Sequence, residues 1–178
     1  MATTTAQASG TTAPDNWTLS AGASKAAAVA APNDDATSYV DSSNTINTQQ
    51  RWTYSPSLMS GDTITQIAIN VRYKRGGASD ANFTLTYGFT PNGGGSQTGT
   101  SGTFTSTSTW QSGTATFSGL SVVWGSGFYV QAENTQGRRV QISTLEVVIT
   151  YTAAAGGGTM RLTLPVRVST LVGGQLAA

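Results

Sequence analysis

A chain of 178 residues with a formal net charge of +1, 10% charged residues, no histidine and no cysteine has the size of one folded domain. The charged fraction lies far below the roughly 25% usual in soluble domains, and the scattered lysines and arginines make no basic field that would neutralise a phosphate backbone, so nucleic acid is not an expected partner. Without cysteine there is no disulfide framework and no thiolate metal site; without histidine the commonest general base and transition-metal ligand are both missing.

Residues 1–16 (MATTTAQASGTTAPDN) are mostly Thr and Ala, a composition that does not offset its own ordering entropy, and they are expected to form an N-terminal arm. They lack the positive and apolar regions of a secretory signal, which predicts synthesis in the cytoplasm without export. No run of 18 apolar residues occurs, so no membrane partner is expected. The folded body is expected over 17–152. Within it, 17–20 (WTLS) suggests an edge strand and 25–31 (KAAAVAA) a short helix, while 37–41 (TSYVD) and Gln49–Tyr54 (QQRWTY) read as weak strands.

Thr63–Arg75 (TITQIAINVRYKR) sets Ile67, Ile69, Val71 and Tyr73 against Gln66, Ala68, Asn70, Arg72 and Lys74, the alternation of a half-buried strand. After a Gly76-Gly77 turn, Phe83, Leu85, Tyr87 and Phe89 repeat it. Residues 91–102 (PNGGGSQTGTSG) read as a long loop. Strands follow at 114–118, 128–133 (FYVQAE) and Val140–Thr152 (VQISTLEVVITYT). In the last, Val140 and Ile142 share one parity and Leu145, Val147, Ile149 and Tyr151 the other, which predicts a bulge near Ser143 and Thr144.

Little in the chain points to catalysis. Asp34-Asp35 with Asp41 could ligate Ca²⁺, but PNDD is also an ordinary turn and is read as one. Glu133 and Glu146 are the only glutamates. Each sits among outward-facing strand residues, so neither is matched to a second acid as a glycosidase requires. No Gly-x-Ser-x-Gly elbow occurs and no histidine stands ready as base. The chain is therefore read as a non-enzyme with no cofactor and no metal. Of four tryptophans, Trp52 alternates with Tyr54 as a core residue does, whereas Trp110 and Trp124 flank less regular segments and are the candidates for stacking on a sugar.

Short strands, turns and no helical period predict an all-β chain, an antiparallel jelly-roll β-sandwich of about eight strands with extended N- and C-terminal arms. The series NDDATSYV, TQQRWTYS, ITQIAINVRYKR, STSTWQSGTATF and GFYVQAENTQGRRVQISTLEVVITYT resembles jelly-roll virion structural proteins of tailed bacteriophages. That resemblance implies a fold shared by capsid decoration proteins, tail or fibre domains and carbohydrate-binding modules; with terminal arms at both ends, the expected member is a capsid decoration or cement protein, located in the virion, that forms homo-oligomers and contacts partners such as the major capsid protein. The alternative it leaves is a carbohydrate-binding or receptor-binding module of a tail or fibre, with a glycan as ligand.

Beyond the body, 153–158 is an Ala/Gly linker and 159–178 a C-terminal arm. Leu162, Leu164, Val166 and Val168 alternate with Arg161, Thr163, Pro165 and Arg167, and Pro165, lacking an N–H, fits an edge strand. Such a strand could dock on its own sheet or on a neighbour. The weakly charged surface favours the neighbour, making Leu162, Leu164, Pro165, Val166, Val168 and Leu171 an expected subunit contact.

Overall fold

The structure, a computed structural model, describes residues 1–21, 23–30 and 38–155. Its elements in chain order are β1 (Ala2–Asp15), β2 (Thr18–Leu19), α1 (Lys25–Ala28), β3 (Val40–Asp41), β4 (Gln49–Tyr54), β5 (Thr63–Arg75), β6 (Ala81–Pro91), β7 (Gln97–Thr100), β8 (Phe104–Ser106), β9 (Gln111–Asn134) and β10 (Val140–Thr152). All strand pairings are antiparallel, and the fold is the jelly-roll sandwich expected from the strand pattern.

In the first sheet β10 lies at the centre, with β5 on one side and β1 and β3 on the other, and β5 pairs onward with the first half of β9. In the second sheet the second half of β9 runs between β4 and β6, and β7 and β8 extend β6. The alternation in β5 and β10 is realised: Ile64, Ile67, Ile69, Val71, Leu145, Val147 and Ile149 are buried. They meet Trp52, Phe83, Leu85, Tyr87, Phe89 and Val130 of the other sheet in one apolar core. The register shift between Ile142 and Thr144 places the predicted bulge at Ser143.

Two segments differ from expectation. Residues 1–16 are not an arm: β1 pairs with β10 through Ala2–Gln7 and with β4 through Ala8–Asp15, so it belongs to both sheets. Main-chain pairing on two partners holds this Thr/Ala segment without a large side chain, a source of order that composition does not reveal. The folded body thus begins at Ala2. The stretch 91–102 is likewise not all loop, because Gln97–Thr100 pairs with β6 as β7.

The helix is one turn, shorter than the expected 25–31, with the Ser24 Oγ capping it by accepting from the Ala27 N–H at 3.1 Å. Residues 31–37, including Asp34 and Asp35, lie outside the described residues.

Tyr54, fully buried in the second sheet, donates its hydroxyl to the Leu145 carbonyl of the first at 3.1 Å, and burial pushes its phenol well above the ordinary value. A folded-state pKa above the unfolded one contributes stability that is complete below about pH 10 and is lost as pH rises through the folded value. Tyr54→Phe is therefore expected to cost about 1 kcal/mol at neutral pH and to flatten the decline of melting temperature above about pH 10, as followed by thermal denaturation against pH.

Candidate functional site

The four tryptophans divide three to one. Trp17 and Trp52 are buried against each other, ring centroids 6.2 Å apart, and Trp124, expected as an exposed platform, is only 7% exposed and packs on Phe89 at 5.6 Å. Trp124 belongs to the core because β9 crosses between the sheets there, turning its side chain inward. Trp110 alone is half-buried. It stands just before β9, edge-on to Tyr39 at 6.2 Å, with the Lys74 Nζ 4.7 Å from its ring centroid. The C-terminal arm residues Leu162, Leu164, Pro165, Val166, Val168 and Leu171 lie outside the described residues.

The two glutamates do not come together as a glycosidase pair. Glu133 is on the outer face of the second sheet and Glu146 on the outer face of the first, so the sandwich separates them. Asp41 is buried and its carboxylate is taken by Arg139 and by the Gln141 Nε2 at 3.1 Å. The Asp41 hydrogen bond holds the Arg139 guanidinium above its ordinary pKa against the opposing effect of burial. Among the described residues no group of three Asp or Glu stands close enough to hold a metal ion.

Both outer faces carry polar rows made by cross-strand register. On the first sheet, Gln7, Glu146, Asn70 and Thr114 stand side by side on β1, β10, β5 and β9. They bond in sequence: Gln7 to Glu146 at 3.0 Å, Asn70 to Glu146 at 3.1 Å and Thr114 to Asn70 at 2.9 Å. That row spends its polar groups on itself.

The second sheet is different. Thr12, Arg51, Gln131, Thr86 and Thr100 form a row across β1, β4, β9, β6 and β7. Arg51 donates Nε and Nη2 to the Gln131 Oε1 at 3.1 and 2.7 Å, and its remaining donors carry no protein partner among the described residues. The Thr86 and Thr100 hydroxyls share one bond of 2.9 Å, which leaves each with acceptor capacity. One step along the strands, Gln49 donates to Glu133 at 2.9 Å.

On the other flank Thr53, Tyr129, Gly88 and Thr98 are aligned. The Tyr129 ring lies over Gly88 so closely that any Cβ there would collide with the ring, and the Arg51 guanidinium carbon sits 4.2 Å from the ring centroid. Glycine at 88 is thus what lets the phenol lie down on the sheet. The result is a face without large aliphatic side chains, with planar and hydroxyl groups held in place and the charges of Arg51 and Glu133 in balance.

Sequence reasoning passed over these residues. Their signal was the outward parity of QQRWTY and FYVQAE, where Gln49, Arg51, Tyr129, Gln131 and Glu133 alternate with core residues, but only the register shows that the two sets adjoin.

No family model and no curated protein matches the chain. Among solved structures it is similar to the CBM22-1 and GH10 modules of endo-1,4-β-D-xylanase 10B from Clostridium thermocellum, complexed with xylohexaose, with a TM-score of 0.53 and 11% identity over 80% of this chain and 26% of that one. It is also similar to the N-terminal CBM22-1–CBM22-2 tandem domain of Xyn10C from Paenibacillus barcinonensis, with a TM-score of 0.52 and 10% identity over 80% of this chain and 42% of that one. The chain therefore spans less than half the length of either. What it shares with these carbohydrate-binding modules is the fold, an antiparallel jelly-roll sandwich.

Proposed function

We propose that the chain is a non-catalytic carbohydrate-binding module whose ligand lies across the outer face of the second sheet. The observation that carries this reading is the row Arg51, Gln131, Thr86 and Thr100 beside a Tyr129 ring laid flat over Gly88. A sugar presents hydroxyls around its rim and C–H groups on its faces, and so needs fixed hydrogen-bonding side chains next to a flat ring. The opposite charges of Arg51 and Glu133 suit a neutral glycan. Sharing its fold with carbohydrate-binding modules supports the reading.

The capsid decoration role expected from the sequence drew on two arms. One is now a strand of the sandwich and the other lies outside the described residues, so the sheet face takes precedence here.

The test is a screen of neutral polysaccharides followed by calorimetric titration of the best binder. Tyr129→Ala and Arg51→Ala should each weaken binding at least about tenfold, or about 1.4 kcal/mol, with the melting temperature little changed. Absence of binding to any neutral glycan would sink the proposal. So would binding that survives both substitutions but vanishes in Trp110→Ala, since that result moves the site to the Tyr39–Trp110 pair.

A further inference from the structure

The first half of β9 forms the border of the first sheet: residues 111–118 pair with β5 on one side, and no strand among the described residues pairs with them on the other. Open edges are ordinarily guarded by charges, proline or a covering segment, yet 111–123 (QSGTATFSGLSVV) contains no charged residue and no proline. The register with β5 slips beyond Ser118, and Gly119, at φ +71°, ends the straight part. Beside this edge a cleft of about 360 Å³ lies between 100–104 and 114–117, where the borders of the two sheets face each other. Phe104 and Phe117 are only partly buried along it, although Phe104 stacks on Phe83 at 5.2 Å and Phe117 meets Tyr87 at 4.7 Å. Unpaired backbone and unfinished apolar cover thus run along one line.

We propose that this border is an interface between two copies of the chain, paired antiparallel through 111–118 about a two-fold axis at Ala115. In that register the edge is its own complement. On the inward side, shared with Ile67, Ile69 and Val71, Gly113 stands opposite Phe117 and the buried Ala115 meets its own image, where a small side chain is needed. At Gly113 the Phe104 ring already takes the place of a side chain, 2.8 Å from where a Cβ would stand, so the second copy's Phe117 lands beside Phe104 and completes its cover. On the outer side Thr114 faces Thr116 and Ser112 faces Ser118, all four exposed, and hydroxyl pairs of this kind favour neighbouring antiparallel strands. An axis at Thr114 would set Phe117 against the polar Gln111 instead.

Charge and area favour a second copy as the occupant. A two-fold contact brings each group close to its own image, so a charged edge repels its copy and an uncharged one does not. The open stretch is about 27 Å long at about 3.4 Å per residue, and two sheets about 10 Å apart with their outer side chains make the border about 20 Å deep. Such a border offers about 540 Å² per copy and about 1,100 Å² in the pair, the scale of a weak, reversible dimer. Pairing joins the two first sheets into one, which removes both open edges together.

Sedimentation equilibrium of the full chain, 18.3 kDa, tests this by comparing the natural sequence with Thr116→Lys/Ser118→Lys. Both positions are exposed, so the substitutions spare the core while placing four ammonium groups along the joint of a pair. The natural chain is expected to reach twice the monomer mass below about 1 mM, and the variant to bind its copy at least about tenfold more weakly with its melting temperature unchanged. Hydrogen exchange on the natural chain needs no variant: amides of 111–118 should exchange at least about tenfold faster after dilution below the dissociation constant, while those of β5 and β10 keep their rates. A natural chain that stays monomeric up to about 1 mM overturns the proposal, as does exchange of 111–118 that dilution leaves unchanged. A dimer that the lysines leave intact overturns it as well, because it assigns association to another surface, such as the arm expected from sequence.

Discussion

Asn134→Asp is expected to lower stability by about 4 kcal/mol at neutral pH, although it replaces one atom. Asn134 is fully buried at the end of β9. Its Nδ2 donates to the Ser42 Oγ at 3.2 Å, the Ser43 carbonyl at 2.9 Å and the Arg138 carbonyl at 2.8 Å, while its Oδ1 accepts from the Gln136 and Gly137 N–H groups. One side chain thus ties the loop after β3 to the turn between β9 and β10. A carboxylate keeps the accepting half but turns the donating half into an oxygen facing oxygens, inside protein. Such a group resists ionisation, so its folded pKa lies above the unfolded one, and the deficit must shrink as pH falls toward 4 and widen as it rises. Urea denaturation at pH 4.5 and pH 7.5 reads both features; a penalty that is equal at the two pH values contradicts the argument.

Trp52→Ala should cost a similar amount, about 4 kcal/mol. Trp52 is completely buried, edge-on to Trp17, and donates its Nε1 to the Lys25 carbonyl at 3.3 Å. Trp17 in turn donates its Nε1 to the Thr48 carbonyl at 3.2 Å. The pair lies against α1 through the Lys25 carbonyl, and truncating the indole to a methyl group leaves a large cavity among buried neighbours. Trp52→Phe keeps a ring in the site and is expected to lose about half as much. Chemical denaturation monitored by the remaining tryptophans measures both; an alanine variant within 1 kcal/mol of the natural protein would show that α1 does not depend on the pair.

Much of the architecture was visible in the sequence where one face is apolar and the other wet. β5, β6 and β10 announce themselves by alternation, and the change of parity after Ile142 predicts a bulge near Ser143 and Thr144, where the register shifts. The same logic failed for β1, whose stability comes from main-chain partners on two sheets, and for 119–127, where β9 changes sheets and its burial pattern breaks. Gly119 there adopts φ +71°, a bend that alternation cannot express. The candidate site failed for a related reason. Arg51 and Gln131 are 80 residues apart in sequence, and nothing short of the strand register says that a guanidinium on β4 and an amide on β9 share one row. Trp124 misled because an irregular neighbourhood suggests exposure, whereas here the irregularity is the crossing itself.

That crossing has a consequence for how the polar face meets a guest. β1 and β9 each begin in one sheet and finish in the other, so the second sheet is laced to the first by two continuous threads. Two strands shared between the sheets tie this face to the sheet behind it. On the proposed reading, a molecule that settles on the row from Thr12 to Thr100 meets side chains already held by cross-strand pairing, and the protein gives up little freedom of its own in holding it.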